Sequence, residues 1–183
     1  MYIAISVIAR KARKVLGLLY CQFSAWSPPE VLLQLYKSLV RPHLEYASQV
    51  WNPHLIKDID QLQKFALKVC FKQWDSSYSD LLQSSNLPTL SHRRKYLGLC
   101  YFYKLVNNIF EFPQCPLTLR VLNYPNRNGR ADLFVQPHAN SNTYHNSFFP
   151  LTIPQWNSLP ICVASAPSIF SFKRQLSNVA FGS

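Results

Sequence analysis

The stretch ISVIARKARKVLGLLYCQF, residues 5–23, carries two patterns at once. Ile5, Ile8, Ala12, Val15, Leu16, Leu19 and Phe23 recur at the three- and four-residue spacing of one helix face. Arg10, Lys11, Arg13 and Lys14 fall on the opposite side at about 100° per residue. The spacing predicts an amphipathic helix, apolar towards a core and basic towards solvent. The same period returns downstream, so the fold class expected is mainly α: a basic bundle of about five helices.

Working outward, Ser27-Pro28-Pro29-Glu30 has the order of a capping box, with Ser27 as cap and Pro28 in the first turn. Leu32, Leu35, Tyr36, Leu39 and Val40 then form the buried stripe of a second helix. Pro42 lacks an amide hydrogen and should end or kink it, with a further turn through Tyr46 and Ala47 and a break at Asn52-Pro53. A third helix is predicted over residues 55–72. Ile56, Ile59, Leu62, Phe65, Ala66 and Val69 should face inward, and Asp60, Lys64, Lys68 and Lys72 outward. Asp60 and Lys64 have the spacing of a favourable helix pair. A short helix over residues 79–83 and a fifth over residues 91–108 follow, the latter capped by Ser91. Arg93, Arg94 and Lys95 lie in its first turn, where cations oppose the helix dipole.

After Phe112 the texture changes. Pro113, Pro116, Pro125, Pro137, Pro150, Pro154, Pro160 and Pro167 punctuate a stretch rich in Asn and Ser. We therefore expect a helical domain over residues 1–112 and a Pro-rich irregular extension over residues 113–183. The extension should hold short strands at residues 133–136 and near Tyr144, a short helix over residues 149–157 and a C-terminal helix over residues 168–176. Trp156 is expected to anchor the extension against helices.

Composition narrows the function classes. The formal net charge is +11, from 19 Lys and Arg against 8 Asp and Glu. Such an excess favours polyanions, because each bound phosphate releases condensed counterions. Charged residues make up 15%, against about a quarter in a typical soluble chain, which suggests a surface that depends on a partner. The 5 cysteines are odd in number and far apart in sequence. That pattern excludes a disulfide scaffold or a metal knuckle and suggests reduced, intracellular thiols. No apolar run approaches the ~18 residues of a spanning helix, so no membrane role is expected. The helical pattern starts almost at Met1, which suggests a truncated beginning.

Several stretches together resemble one family. They are KARKVLGLLY at residues 11–20, LLQLYKSLVRPHLEYASQVW at 32–51, KDIDQLQKFALKVC at 57–70 and LPTLSHRRKYLGL at 87–99. Near the end come SFFPLTIPQWNSLP at 147–160 and PSIFSFKRQL at 167–176. In order and spacing this is similar to the region after the palm in LINE-type, jockey-like non-LTR retrotransposon reverse transcriptases. The resemblance implies a helical thumb followed by a C-terminal extension, with basic helix faces towards an RNA/DNA duplex and an upstream palm domain as partner. One departure stands at Leu62-Gln63, where the family carries about three more residues, nearly one helical turn. It implies a shifted and looser third helix.

Polymerase chemistry needs paired carboxylates that hold two metal ions, which the family places in an Asp-Asp turn of the palm. This chain has no adjacent Asp-Asp, and Asp58 and Asp60 diverge on a predicted helix, where they are expected to be solvated. His138 and His145 form no recognised metal pattern, and no GxSxG elbow or phosphate-cradling glycine loop occurs. No catalytic residue, cofactor, metal or small-molecule substrate is expected. The expected contacts are phosphates at Arg10, Arg13, Lys14, Lys64, Lys68, Lys72, Arg93 and Arg94, with Trp51, Trp74 and Trp156 as candidate stacking residues or, more ordinarily, core. The other readings are a helical structural or protein-interaction module with no nucleic-acid role, and part of a longer polymerase gene.

Overall fold

The structure, a computed structural model, describes residues 2–46, 56–109, 117–121, 124, 126, 131–138 and 141–179, the side chains of 2–6, 56–59, 142 and 143 excepted. It is mainly helical. Helix α1 covers Tyr2–Phe23 and α2 Pro29–Leu35. A π-helical turn, Tyr36–Val40, leads into α3, Arg41–Glu45. Next come α4 over Ile56–Phe71, α5 over Tyr78–Ser85 and α6 over Leu90–Val106. Strands β1, Leu119–Val121, and β2, Asp132–Phe134, pair antiparallel with Arg120 opposite Leu133. Helices α7 (Asn142–His145), α8 (Phe148–Asn157), α9 (Ile161–Ala164) and α10 (Ile169–Ser177) complete the chain.

The chain divides into two compact units, Met1–Arg94 and Lys95–Ser183. The division falls inside α6, earlier than the change of texture after residue 112, which itself lies outside the described residues. The later turns of α6 carry Leu99, Phe102 and Tyr103 into the second core. Ala47, Trp51, Asn52-Pro53 and Leu55 also lie outside the described residues.

In the first unit, α1 turns Ala9, Ala12, Leu16 and Leu19 into a core shared with Leu32, Tyr36, Val40, Leu44, Leu62, Ala66, Cys70 and Leu90. The two alanines leave room for neighbouring elements to approach α1. Each buried leucine contributes roughly 1.5–3 kcal/mol through its apolar surface.

Pro42 neither ends nor sharply breaks its helix. The preceding turn widens to the π form, so the Arg41 amide donates to the Tyr36 carbonyl. The Ser38 hydroxyl meanwhile donates to the Gln34 carbonyl at 2.9 Å. A π turn absorbs a register mismatch that a proline otherwise resolves by kinking.

Two caps differ from the sequence expectation. Pro28, not Ser27, is the N-cap of α2, with Pro29 in the first turn, and the buried Ser27 hydroxyl has no hydrogen-bond partner among the described residues. Tandem prolines fix extended and then helical backbone, which moves the cap one residue on. Helix α6 starts at Leu90 and is capped by Thr89, whose hydroxyl accepts from the His92 amide at 3.1 Å. Asn86 and Asn108 end α5 and α6 in left-handed backbone, at φ of 50° each.

Helix α4 runs unbroken through Leu62 and buries Leu62, Gln63, Ala66, Leu67, Val69 and Cys70. Gln63 is a buried polar clamp. Its Oε1 accepts from the Tyr78 hydroxyl at 2.9 Å and the Leu90 amide at 3.2 Å. Its Nε2 donates to the Pro88 carbonyl at 3.2 Å. One side chain thereby ties α4 to the starts of α5 and α6.

The second unit is built on Trp156, which is 1% exposed. Its ring lies 5.1 Å from Phe102, 5.7 Å from Phe172 and 6.4 Å from Tyr103. The Tyr103 hydroxyl donates to the Ala166 carbonyl at 2.7 Å. Asn157, next to that tryptophan, treats β2 as a strand partner: it accepts from the Phe134 amide at 3.1 Å and donates to the Phe134 carbonyl at 2.8 Å. Pro154 sits inside α8 and removes one helical hydrogen bond. The Pro150 carbonyl that loses this donor receives Gln136 Nε2 at 3.1 Å instead. Around Tyr144 the chain forms helix α7, not a strand. Ser141 opens it by accepting the Tyr144 amide at 3.2 Å. Helix α10 matches its expected span, capped by Ser168 on the Ser171 amide at 3.2 Å. No helix of the described residues is long and apolar enough to cross a membrane.

Two substitutions of buried polar groups in the first unit should affect stability unequally. Gln63→Leu strands a buried amide and a hydroxyl and should cost about 2–3 kcal/mol in urea unfolding. Tyr36→Phe removes a buried hydroxyl that has no hydrogen-bond partner among the described residues. It should leave stability unchanged or raise it by up to about 1 kcal/mol.

Candidate nucleic-acid interface

The seam of Ala9, Ala12, Leu16 and Leu19 fixes which side of α1 meets solvent. Arg10, Lys11, Arg13 and Lys14 are all exposed on the other side. Helix α1 contains no acidic residue. Among the described residues, none of the four lies in an ion pair. Arg10 with Lys14, Arg10 with Arg13 and Lys11 with Lys14 stand three or four positions apart, where like charges repel by a few tenths of a kcal/mol. A bound polyanion would relieve that repulsion.

Arg13 also lines a groove between α1 and α4, of about 310 Å³, with Leu16, Gly17, Gln61, Leu62 and Phe65. The space over Gly17 is open, since a Cβ there would meet nothing within 4 Å. Phe65 is 45% exposed, contrary to its expected place in the core. Its ring lies 6.0 Å from that of Trp74, which is 47% exposed. The signal for this was present in α4. Gln63, Leu67 and Cys70 are buried and move the centre of the inner face away from Phe65.

The remaining basic positions do different things. Lys64 is half-buried. The Lys68 ammonium donates to the Trp74 carbonyl and holds the loop after α4. Lys72 is exposed and ends α4 in left-handed backbone, at φ 56°. Arg93 donates to both carboxylate oxygens of Glu45, at 3.0 Å for the outer one, and Arg41 lies 3.4 Å from the same carboxylate. Arg94 is buried, 3.9 Å from Asp60. Arg94 is thus corrected from a phosphate contact to an interior charge, because a guanidinium turned into the protein cannot reach a phosphate outside it. The structure therefore gathers Arg10, Arg13 and Lys14 on one exposed face and sets Arg93 and Arg94 in a separate ionic cluster.

Asp60 pairs with Arg94 rather than Lys64 and is half-buried rather than solvated. Burial raises its pKa above the ordinary 3.8, against the opposing pull of Arg94. Burial likewise lowers that of Arg94, against the pull of Asp60. Their separation leaves desolvation only partly offset. Trp156 belongs to the second core, and Trp51 lies outside the described residues. His138 and His145 are exposed, and no group of three His, Cys, Asp or Glu side chains fit to hold a metal occurs among the described residues. Cys70 and Cys100 are buried, Cys21 and Cys162 exposed, and all four are free thiols.

In comparison with known proteins, the chain matches no family model, no curated protein and no solved structure.

A raised folded-state pKa means that Asp60 contributes most when protonated. That contribution is complete below the ordinary 3.8 and is lost as pH rises through the raised value. The stability of the unaltered chain minus that of Asp60→Asn should therefore fall as pH rises from about 4. Urea unfolding at stepped pH measures the difference, and a difference that grows with pH contradicts this assignment.

Proposed function

We propose that the chain is a non-catalytic, nucleic-acid-binding part of a non-LTR retrotransposon reverse transcriptase, the thumb-like helices and extension that follow a palm. The first unit holds the phosphates of an RNA/DNA duplex through the exposed face of α1. One observation carries the binding reading: Arg10, Lys11, Arg13 and Lys14 stand exposed on a packed helix, with no ion-pair partner among the described residues. The resemblance of residues 11–20, 32–51 and 147–160 to that family supports the larger context. Polymerisation itself belongs to the palm of the longer enzyme.

A helical protein-interaction module is the second reading. It is favoured by the exposure of Leu18, Trp26, Val31 and Leu39 in the same unit. A covering partner, such as a palm domain, would bury such side chains.

Titrating an RNA/DNA duplex by fluorescence anisotropy at several salt concentrations tests the proposal. The logarithm of affinity should fall linearly with that of salt, with a slope of about −3 from three or four neutralised phosphates. Exchanging the duplex sequence should leave affinity unchanged. Undetectable binding at low salt would sink the nucleic-acid reading and leave the interaction module.

A further inference from the structure

Phe65 and Trp74 do not belong to either core, and a phosphate-binding face does not need them. They lie side by side at 6.0 Å with rings tilted by 54°, each about half exposed. The Lys68 ammonium donates to the Trp74 carbonyl, which ties the backbone that carries the second ring to α4. Phe65 continues into the groove over Gly17, whose other wall includes Arg13. Lys72 is exposed two residues before Trp74. Exposed rings and a concave apolar floor, with Arg13 at its edge, match the two halves of a nucleotide: a flat apolar base and a phosphate.

We infer that Phe65, Trp74 and the Gly17 groove form a stacking site for an unpaired nucleobase, so that the first unit binds single-stranded nucleic acid in addition to duplex. The inference rests on the nucleic-acid reading above. A paired duplex offers base faces only at its ends, so a stacking platform beside a phosphate-binding face selects a strand with unpaired bases. The apolar floor would equally accept an apolar peptide, but Arg13 on its wall favours an anionic occupant. Sequence preference is not built in, because every base presents a flat face.

Oligothymidylate and a blunt duplex with the same number of phosphates are titrated at one low salt concentration against the full chain and three variants. Trp74→Ala and Phe65→Leu should each lower the preference for oligothymidylate over duplex roughly tenfold. Trp74→Phe, which keeps a ring, should retain most of it. Both positions are substantially exposed, and thermal midpoints check that the variants fold. If the full chain binds duplex but the ring-removing variants keep the single-strand preference, the stacking site is overturned and the phosphate face stands. If the full chain binds neither nucleic acid, both readings fall together.

Discussion

The packing of α1 through Ala9, Ala12, Leu16 and Leu19 governs everything else in the first unit. A helix with four cations in five positions gains nothing from that charge by itself. It is held because its other face is buried against α3, α4 and the π turn. Burial fixes the rotation of the helix, and rotation decides that Arg10, Lys11, Arg13 and Lys14 face outward together. Small residues at positions 9 and 12 matter because bulk there would separate α1 from its neighbours. The groove beside Phe65 depends on the same contact, since α1 supplies Leu16 and Gly17 to it.

Polar side chains do the locating that apolar packing leaves undetermined. Gln63 sets the starts of two helices through three hydrogen bonds from one buried amide. In the second unit, Trp156 fills the core while Asn157 completes the backbone pairing of β2. This gives a physical meaning to the Gln-Trp-Asn-Ser-Leu-Pro stretch. The tryptophan supplies volume, the asparagine a strand-like edge, and Leu159 a second buried anchor. Gln136 performs a comparable repair on the carbonyl exposed by Pro154. Prolines that read as breaks in the sequence are tolerated because such partners exist.

Helix positions were legible where one face is apolar and the other charged. Residues 5–23, 168–176 and most of 55–72 show this clearly, and α1, α10 and α4 follow. Caps were less legible, because Ser27 and Ser91 compete with neighbours that serve equally well locally. Tyr144 looked β-like through its ring, yet the Ser141 hydroxyl starts a helical turn there. The candidate site was half visible. Spacing alone placed the cations of α1 outward. Arg94 could not be read from sequence, because the charge it faces in the interior is an aspartate 34 positions earlier. Phe65 and Trp74 came together through a loop held by Lys68, a contact that no periodicity encodes.

The central claim is that the basic face of α1 is dispensable for folding and required for binding. Neutralising it in one variant, Arg10→Gln with Arg13→Gln and Lys14→Gln, tests both halves on the same protein. The account predicts unfolding free energy within about 0.5 kcal/mol of the unaltered chain. It also predicts a salt dependence of duplex affinity flatter by about three in slope. An unfolded variant, or a salt slope that does not change, would contradict it.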